Sequence, residues 1–132
     1  MRKVLLDTNA YSALARGDAA VLDAISEADV VYMSVVVLGE LYAGFKGGSR
    51  EAANREKLHR LLERPTERTL SLTPETSDVY ASVKHALKQA GTPIPINDVW
   101  ICAHALEGGA VVITDDTHFS HAPGVRVWTR SP

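Results

Sequence analysis

Short, almost wholly apolar runs separated by helix-length amphipathic segments constrain the fold of this chain more than any other feature. Val4-Leu5-Leu6, Val30-Val31-Tyr32-Met33 and Ala110-Val111-Val112-Ile113 are apolar at nearly every position, the pattern of strands buried on both faces. Arg68-Thr69-Leu70-Ser71-Leu72 alternates like a short strand, and Val125-Arg126-Val127-Trp128 reads as a last, edge strand. Strand and helix in alternation predict a parallel sheet with helices on both faces. The expected fold is therefore a three-layer α/β/α sandwich with a central, mostly parallel sheet. A single domain over residues 1–132 is expected, because no internal repeat, low-complexity tract or interdomain linker interrupts the alternation.

Local signals place the helices. A short helix from Ala10 to Arg16 ends at Gly17, and Asp18 caps the next, with Val21, Leu22, Ile25 and Ala28 inward. Ser34 caps a third helix whose stripe is Leu38, Leu41, Tyr42 and Phe45, and Lys46-Gly47-Gly48-Ser49 breaks it. Residues Arg50 to Arg64 carry Leu58, Leu61 and Leu62 among many charges, an exposed amphipathic helix. Thr73-Pro74-Glu75 is a cap, a proline and an acid in the order a helix start requires, and Gly91 ends that helix. Asn97 is read as the N-cap of the last long helix, with Asp98 as its first residue at the positive end of the dipole and Val99, Cys102, Ala103 and Leu106 on the buried side.

Composition excludes some classes of function. A formal net charge of -2 argues against a protein that simply coats a polyanion, although a local basic patch stays compatible with it. The lone Cys102 forms no intramolecular disulfide and sits in an apolar helical setting, as a buried inert thiol would. Met1-Arg2-Lys3-Val4-Leu5-Leu6-Asp7 reaches an acid too soon for a signal peptide, and no run is long enough for a membrane span. A reducing cytoplasm is the expected compartment.

Four acids fall where such a fold brings side chains together. Ligands of open α/β sheets bind outside the carboxyl ends of the strands. Asp7 follows the first strand directly, Asp116 follows the Val111-Val112-Ile113 strand closely, and Glu40 stands early in the helix that begins where the second strand ends. Asp98 arrives at the same region by a helix N-terminus. Each acid alone suits a bland role: Asp7 a turn, Asp98 a helix dipole, Glu40 a solvated helix face. Their coincidence at one sheet edge changes the balance. Four carboxylates in one crevice repel one another, and hard divalent cations such as Mg²⁺ or Mn²⁺ relieve that repulsion. The chemistry this suggests is metal-assisted phosphodiester hydrolysis.

With Val4-Leu5-Leu6-Asp7-Thr8-Asn9, Ser34-Val35-Val36-Val37-Leu38-Gly39-Glu40-Leu41, Asn97-Asp98-Val99-Trp100-Ile101 and Thr114-Asp115-Asp116, the chain resembles PIN-domain ribonucleases. It is more closely similar to VapC-type toxins of bacterial and archaeal toxin–antitoxin pairs, over nearly its whole length and in the right order. The resemblance implies Asp7, Glu40, Asp98 and Asp116 as the acidic quartet. Asp7, Asp98 and Asp116 would be direct or water-mediated Mg²⁺ ligands (Mn²⁺ a possible substitute), and Glu40 would hold a second metal or orient the water. Thr8 or Asn9 and Thr114 would fix the first acids by hydrogen bonds. It further implies endonucleolytic cleavage of RNA to 5′-phosphate and 3′-hydroxyl ends, a homodimer, and silencing by a small antitoxin whose tail enters the crevice.

The adjacent Asp115 and Asp116 leave two candidates after one strand, and the family spacing from Thr114 favours Asp116. His118 stands where relatives often carry a further acid, so a fifth acidic ligand is absent; it could contact phosphate or metal-bound water, against the simpler reading of a solvent-facing loop histidine. His104 is read as structural or interfacial. Lys46, Arg50, Arg55, Lys57, Arg60, Arg64 and Arg68 could guide RNA phosphates, against the simpler reading of a mixed-charge helix paired with Glu51, Glu56, Glu63 and Glu67. Tyr11, Leu14, Tyr42 and Phe45 could line an antitoxin groove, while Trp100 and Trp128 read as packing residues. Two other classes compete. A non-catalytic PIN-like RNA- or protein-binding module would not need all four acids. A receiver-like phosphoacceptor would want an acidic pair after the first strand and a late lysine, which are missing here.

Overall fold

The computed structural model describes residues 1–130. Five strands, β1 (Lys3–Leu6), β2 (Val30–Ser34), β3 (Glu67–Leu70), β4 (Val111–Ile113) and β5 (Arg126–Trp128), form one sheet in the order β3-β2-β1-β4-β5. Every neighbouring pair is parallel. Six helices cover it: α1 (Thr8–Ala15), α2 (Ala19–Ser26), α3 (Val35–Lys46), α4 (Glu51–Leu62), α5 (Pro74–Ala90) and α6 (Ile96–Gly108), with a 3-10 turn at Thr117–His121. This is the expected α/β/α sandwich, and β5 is the edge strand that Val125–Trp128 suggested.

The strand order carries the functional consequence. The chain lays β1, β2 and β3 outward in one direction, then returns through α5 and α6 to set β4 on the other side of β1. Parallel crossovers are right-handed as a rule, so connections running in opposite directions along the sheet cover opposite faces. The contacts of α1 with α2 and α3, of α3 with α4, and of α5 with α6 are in keeping with this. A crevice opens where the direction reverses, at the carboxyl ends of β1 and β4. Leu6 is in register with Ile113, so Asp7 and Thr114 leave the sheet side by side. Leu5, Leu6, Met33, Val112 and Ile113 have no exposed surface, which anchors both strand ends. On the α6 side the fit is close: a Cβ on Gly108 would lie 2.9 Å from the Tyr32 ring.

Most helix signals act as the residues suggest. The side chain of Ser34 accepts from the Val36 amide at 3.0 Å, Asp18 caps α2, and Thr73 and Thr76 form a reciprocal capping box. Gly17 and Gly91 take positive φ and close their helices. Leu22, read as inward, is instead 48% exposed, and two helix starts differ. Helix α1 starts at Thr8 rather than Ala10, because Asp7 is itself the N-cap. Helix α6 starts at Ile96, with Pro95 at the cap position and no side-chain cap, so Asn97 does not cap it and Asp98 is its third residue. Pro95 brings the chain into the helix with φ of -55°, and its carbonyl accepts the first intrahelical bond from Val99. Asp98 still lies in the first turn, where the dipole favours it.

His104 is structural. Its buried ring bonds the Ser34 hydroxyl at 2.9 Å and the Ser71 carbonyl at 3.0 Å, tying α6 to the β2–α3 junction. Trp100 stacks on Tyr80 at 3.9 Å, a packing role. Burial pushes the Cys102 thiol up to about 12, with the Asp98 charge adding to it, so the sulfur is inert at neutral pH.

Glu67 breaks the usual rule for buried carboxylates. It is 6% exposed, beside Val31 on an edge strand packed against α4, and neither carboxylate oxygen has a hydrogen-bond partner among the described residues. Burial raises its pKa to about 7, with the Arg64 charge opposing. The folded state therefore keeps a proton that the unfolded chain releases near 4.5, so the contribution of Glu67 to stability is fully present below that pH and is lost as pH rises through 7. At 1.36 kcal/mol per pH unit the loss is about 3 kcal/mol. Urea titrations at pH 5 and pH 8 should show this decline in the wild type, and Glu67→Gln should flatten it.

Candidate active site

The four acids singled out in the sequence line one crevice, at the carboxyl ends of β1 and β4. Asp7 is the most enclosed, at 5% exposure. One of its oxygens accepts from the Ala10 amide at 2.7 Å and caps α1, and the other accepts from the Thr114 hydroxyl at 2.5 Å. Thr114 in turn accepts the Asp116 amide at 2.8 Å. A single hydroxyl thus sets the relative positions of the two strand-end acids, as the register of β1 and β4 requires. Asp116 caps the 3-10 turn by accepting the His118 amide at 2.9 Å. The same two carboxylates that face the crevice therefore also begin helical segments.

Glu40 reaches the crevice from α3. Its Oε1 accepts from the Thr8 hydroxyl at 2.7 Å. Thr8 thus fixes Glu40 and not Asp7, a correction to the expected pairing. Asn9 lines the crevice beside it. Asp115 points elsewhere: both of its oxygens are engaged by Arg130, which also pairs with Asp18. Of the adjacent acids, Asp116 is the one that faces the crevice.

His118 overturns the expectation of a solvent-facing loop histidine. It lies in the 3-10 turn with its side chain 44% exposed, and Nδ1 is 3.1 Å from Asp116 Oδ1 and 3.4 Å from Asp98 Oδ2. Asp98, Asp116 and His118 are the group among the described residues whose potential ligand atoms all lie within 4.8 Å of one another. The sequence held a signal for this: Asp116 two residues before His118 is an N-cap spacing, and a capped turn aims the next side chains back at the strand end.

The acids strain against each other. Burial, above all, raises the pKa of Asp7; Thr114 and the Ala10 amide oppose it, while the charges of Asp116 and Asp98 add to it. Burial likewise raises Asp98, against the His118 hydrogen bond and with the charges of Asp116 and Glu40. Negative charge is therefore concentrated beyond what the protein neutralises by itself.

Several of the basic residues are engaged by contacts within the chain. Lys46 pairs with Glu51 at 3.4 Å and Arg60 with Glu56 at 3.2 Å, Arg55 lies 4.3 Å over the Tyr42 ring, and Lys57 bonds the Ala15 carbonyl at 2.6 Å. Tyr11 is largely buried, and with Leu14 it lines a hollow shared with Lys57, Arg60 and Arg64.

A parallel sheet with an acid crevice at its reversal point defines a class, and residues 4–125 match the PIN domain family model; the chain belongs to that family. Among curated relatives it is 34% identical over 99 residues to Ribonuclease VapC4 of Mycobacterium tuberculosis, covering 74% of this chain and 75% of that one. It is also 34% identical over 132 residues to the plasmid stability protein StbB of Pseudomonas syringae pv. tomato, covering 94% and 95%. Among solved structures it is similar to VapBC-5 of Mycobacterium tuberculosis, a member of the VapBC family of toxin–antitoxin systems. There the identity is 27% and the TM-score 0.72, with 98% of each chain covered.

Proposed function

We infer that this protein is a ribonuclease of the VapC type, the toxin of a toxin–antitoxin pair, which hydrolyses RNA phosphodiester bonds at the acid crevice. The observation that carries the reading is the meeting of Asp7, Glu40, Asp98 and Asp116 in one hollow of a chain similar to Ribonuclease VapC4. The whole chain acts as one nuclease domain, in the cytoplasm and as a homodimer, and a small antitoxin silences it. A non-catalytic binding module would have no use for so much uncompensated charge in one place.

The donor set suits Mg²⁺ or Mn²⁺: oxygen ligands predominate, and burial, with the charges of neighbouring acids adding to it, raises the pKa of Asp7 and Asp98. Asp7, Asp98 and Asp116 would hold the cation, with Glu40 beside them. When bound, the cation polarises a phosphoryl oxygen and stabilises charge on the leaving oxygen. The protein residues do the positioning. Thr114 fixes Asp7 against Asp116, and Thr8 turns Glu40 so that its other oxygen can orient the attacking water. Water adds at phosphorus as the bond to the 3′ oxygen breaks, leaving a 5′-phosphate and a 3′-hydroxyl.

Purified protein should create new 5′ ends in total cellular RNA with Mg²⁺ and none with EDTA, read by sequencing those ends. Equal cleavage in both would sink the proposal. A second expectation concerns Thr114. Thr114→Val removes the hydroxyl that joins the two strand-end acids, and such supporting partners typically contribute about 10–100-fold in metal affinity. The Mn²⁺ concentration needed to raise the melting temperature should increase by that factor.

A further inference from the structure

We propose that His118 is a nitrogen ligand in the crevice and that it shifts the site's preference from Mg²⁺ toward Mn²⁺. The inference rests on the proposed metal site and adds to it a residue outside the acidic quartet.

The geometry is that of one corner of a coordination sphere. Metal–donor bonds of ~2.1 Å put neighbouring donors of an octahedral site ~3 Å apart. Nδ1 of His118 lies 3.1 Å from Asp116 Oδ1 and 3.4 Å from Asp98 Oδ2. The ring is held there from below. Its backbone amide donates to Asp116, and the next residue, Phe119, is buried at 1% exposure and pins the turn to the core. The same Asp116 side chain thus positions the histidine and shares the corner with it.

The donor type sets the selectivity. Mg²⁺ is small, strongly hydrated and prefers oxygen, whereas imidazole is a borderline donor that first-row transition ions accept more readily. A carboxylate in the place of His118 would add charge and favour Mg²⁺; a neutral ring adds a donor without charge and favours Mn²⁺. In the metal-free protein the same nitrogen can donate its hydrogen to one of the carboxylates, so the residue has a partner in both states.

The test is pulsed electron paramagnetic resonance on Mn²⁺-loaded protein, with Mn²⁺ and Mg²⁺ affinities measured by calorimetry on wild type and His118→Asp. The wild type should show ¹⁴N coupling to the manganese, and His118→Asp should lack it. The ratio of Mn²⁺ to Mg²⁺ affinity should fall by at least about tenfold in the variant, the scale on which neighbouring groups tune metal sites. Melting in EDTA confirms that the variant folds. Bound Mn²⁺ without nitrogen coupling, or an unchanged ratio, overturns this inference alone and leaves His118 as an ion-pair partner of the two acids. Failure of the wild type to bind Mn²⁺ at all overturns the metal site itself.

Discussion

Asp98→Asn should reduce RNA cleavage by at least about a hundredfold, since a cation held at the reacting centre supplies several kcal/mol at tenfold per 1.36 kcal/mol. The same substitution should leave the fold intact and, in EDTA, raise its melting temperature. The two effects have one cause. Burial and the charges of Asp116 and Glu40 push the Asp98 pKa up, so its ionised form is a cost to the folded state at neutral pH. An amide keeps the shape and removes that cost along with the charge that holds the cation. Quantitative cleavage of a defined RNA beside thermal unfolding separates this from simple damage. A variant that loses activity and stability together would mean that Asp98 is a structural acid.

Phe119→Ala should lower the unfolding free energy by about 3–5 kcal/mol, the range for large-to-small changes at fully buried aromatic positions. Phe119 is among the largest side chains with almost no exposure, and it sits in the 3-10 turn that carries His118 and is capped by Asp116. Denaturant unfolding measures the first effect. The second is local: with its anchor gone the turn should loosen, and faster amide exchange at Thr117–His121 than in β1 or β4 would report it. A stability loss under 1 kcal/mol would show that the turn is held by its hydrogen bonds alone.

The sheet was legible because burial on both faces writes itself into composition. Val4-Leu5-Leu6 and Val111-Val112-Ile113 admit few other readings, and the strand–helix alternation left little freedom of topology. The acids at the strand ends followed from that topology: Asp7 and Asp116 could be assigned to one edge from their distance to a strand. What could not be read was local direction. Asn97 looked like a cap, yet Pro95 had already started the helix. Thr8 bonds across α1 to α3, a contact over 32 residues that no spacing rule anticipates. His118 looked solvated because polarity alone says nothing of a turn folded back by its own cap.

The positioning of Asp7 and Asp116 has a consequence for how such a chain can be disarmed. Each of these carboxylates is both a helix terminus and part of the crevice wall. Alanine at either position would remove two things at once, including a cap contributing about 1 kcal/mol. Asparagine keeps an oxygen for the capping amide; at Asp116 it gives up the charge, and at Asp7 it gives up the acceptor for the Thr114 hydroxyl as well. Harmless descendants that still fold well are therefore most accessible through the amide isosteres, so innocence and integrity are separated here by a single atom.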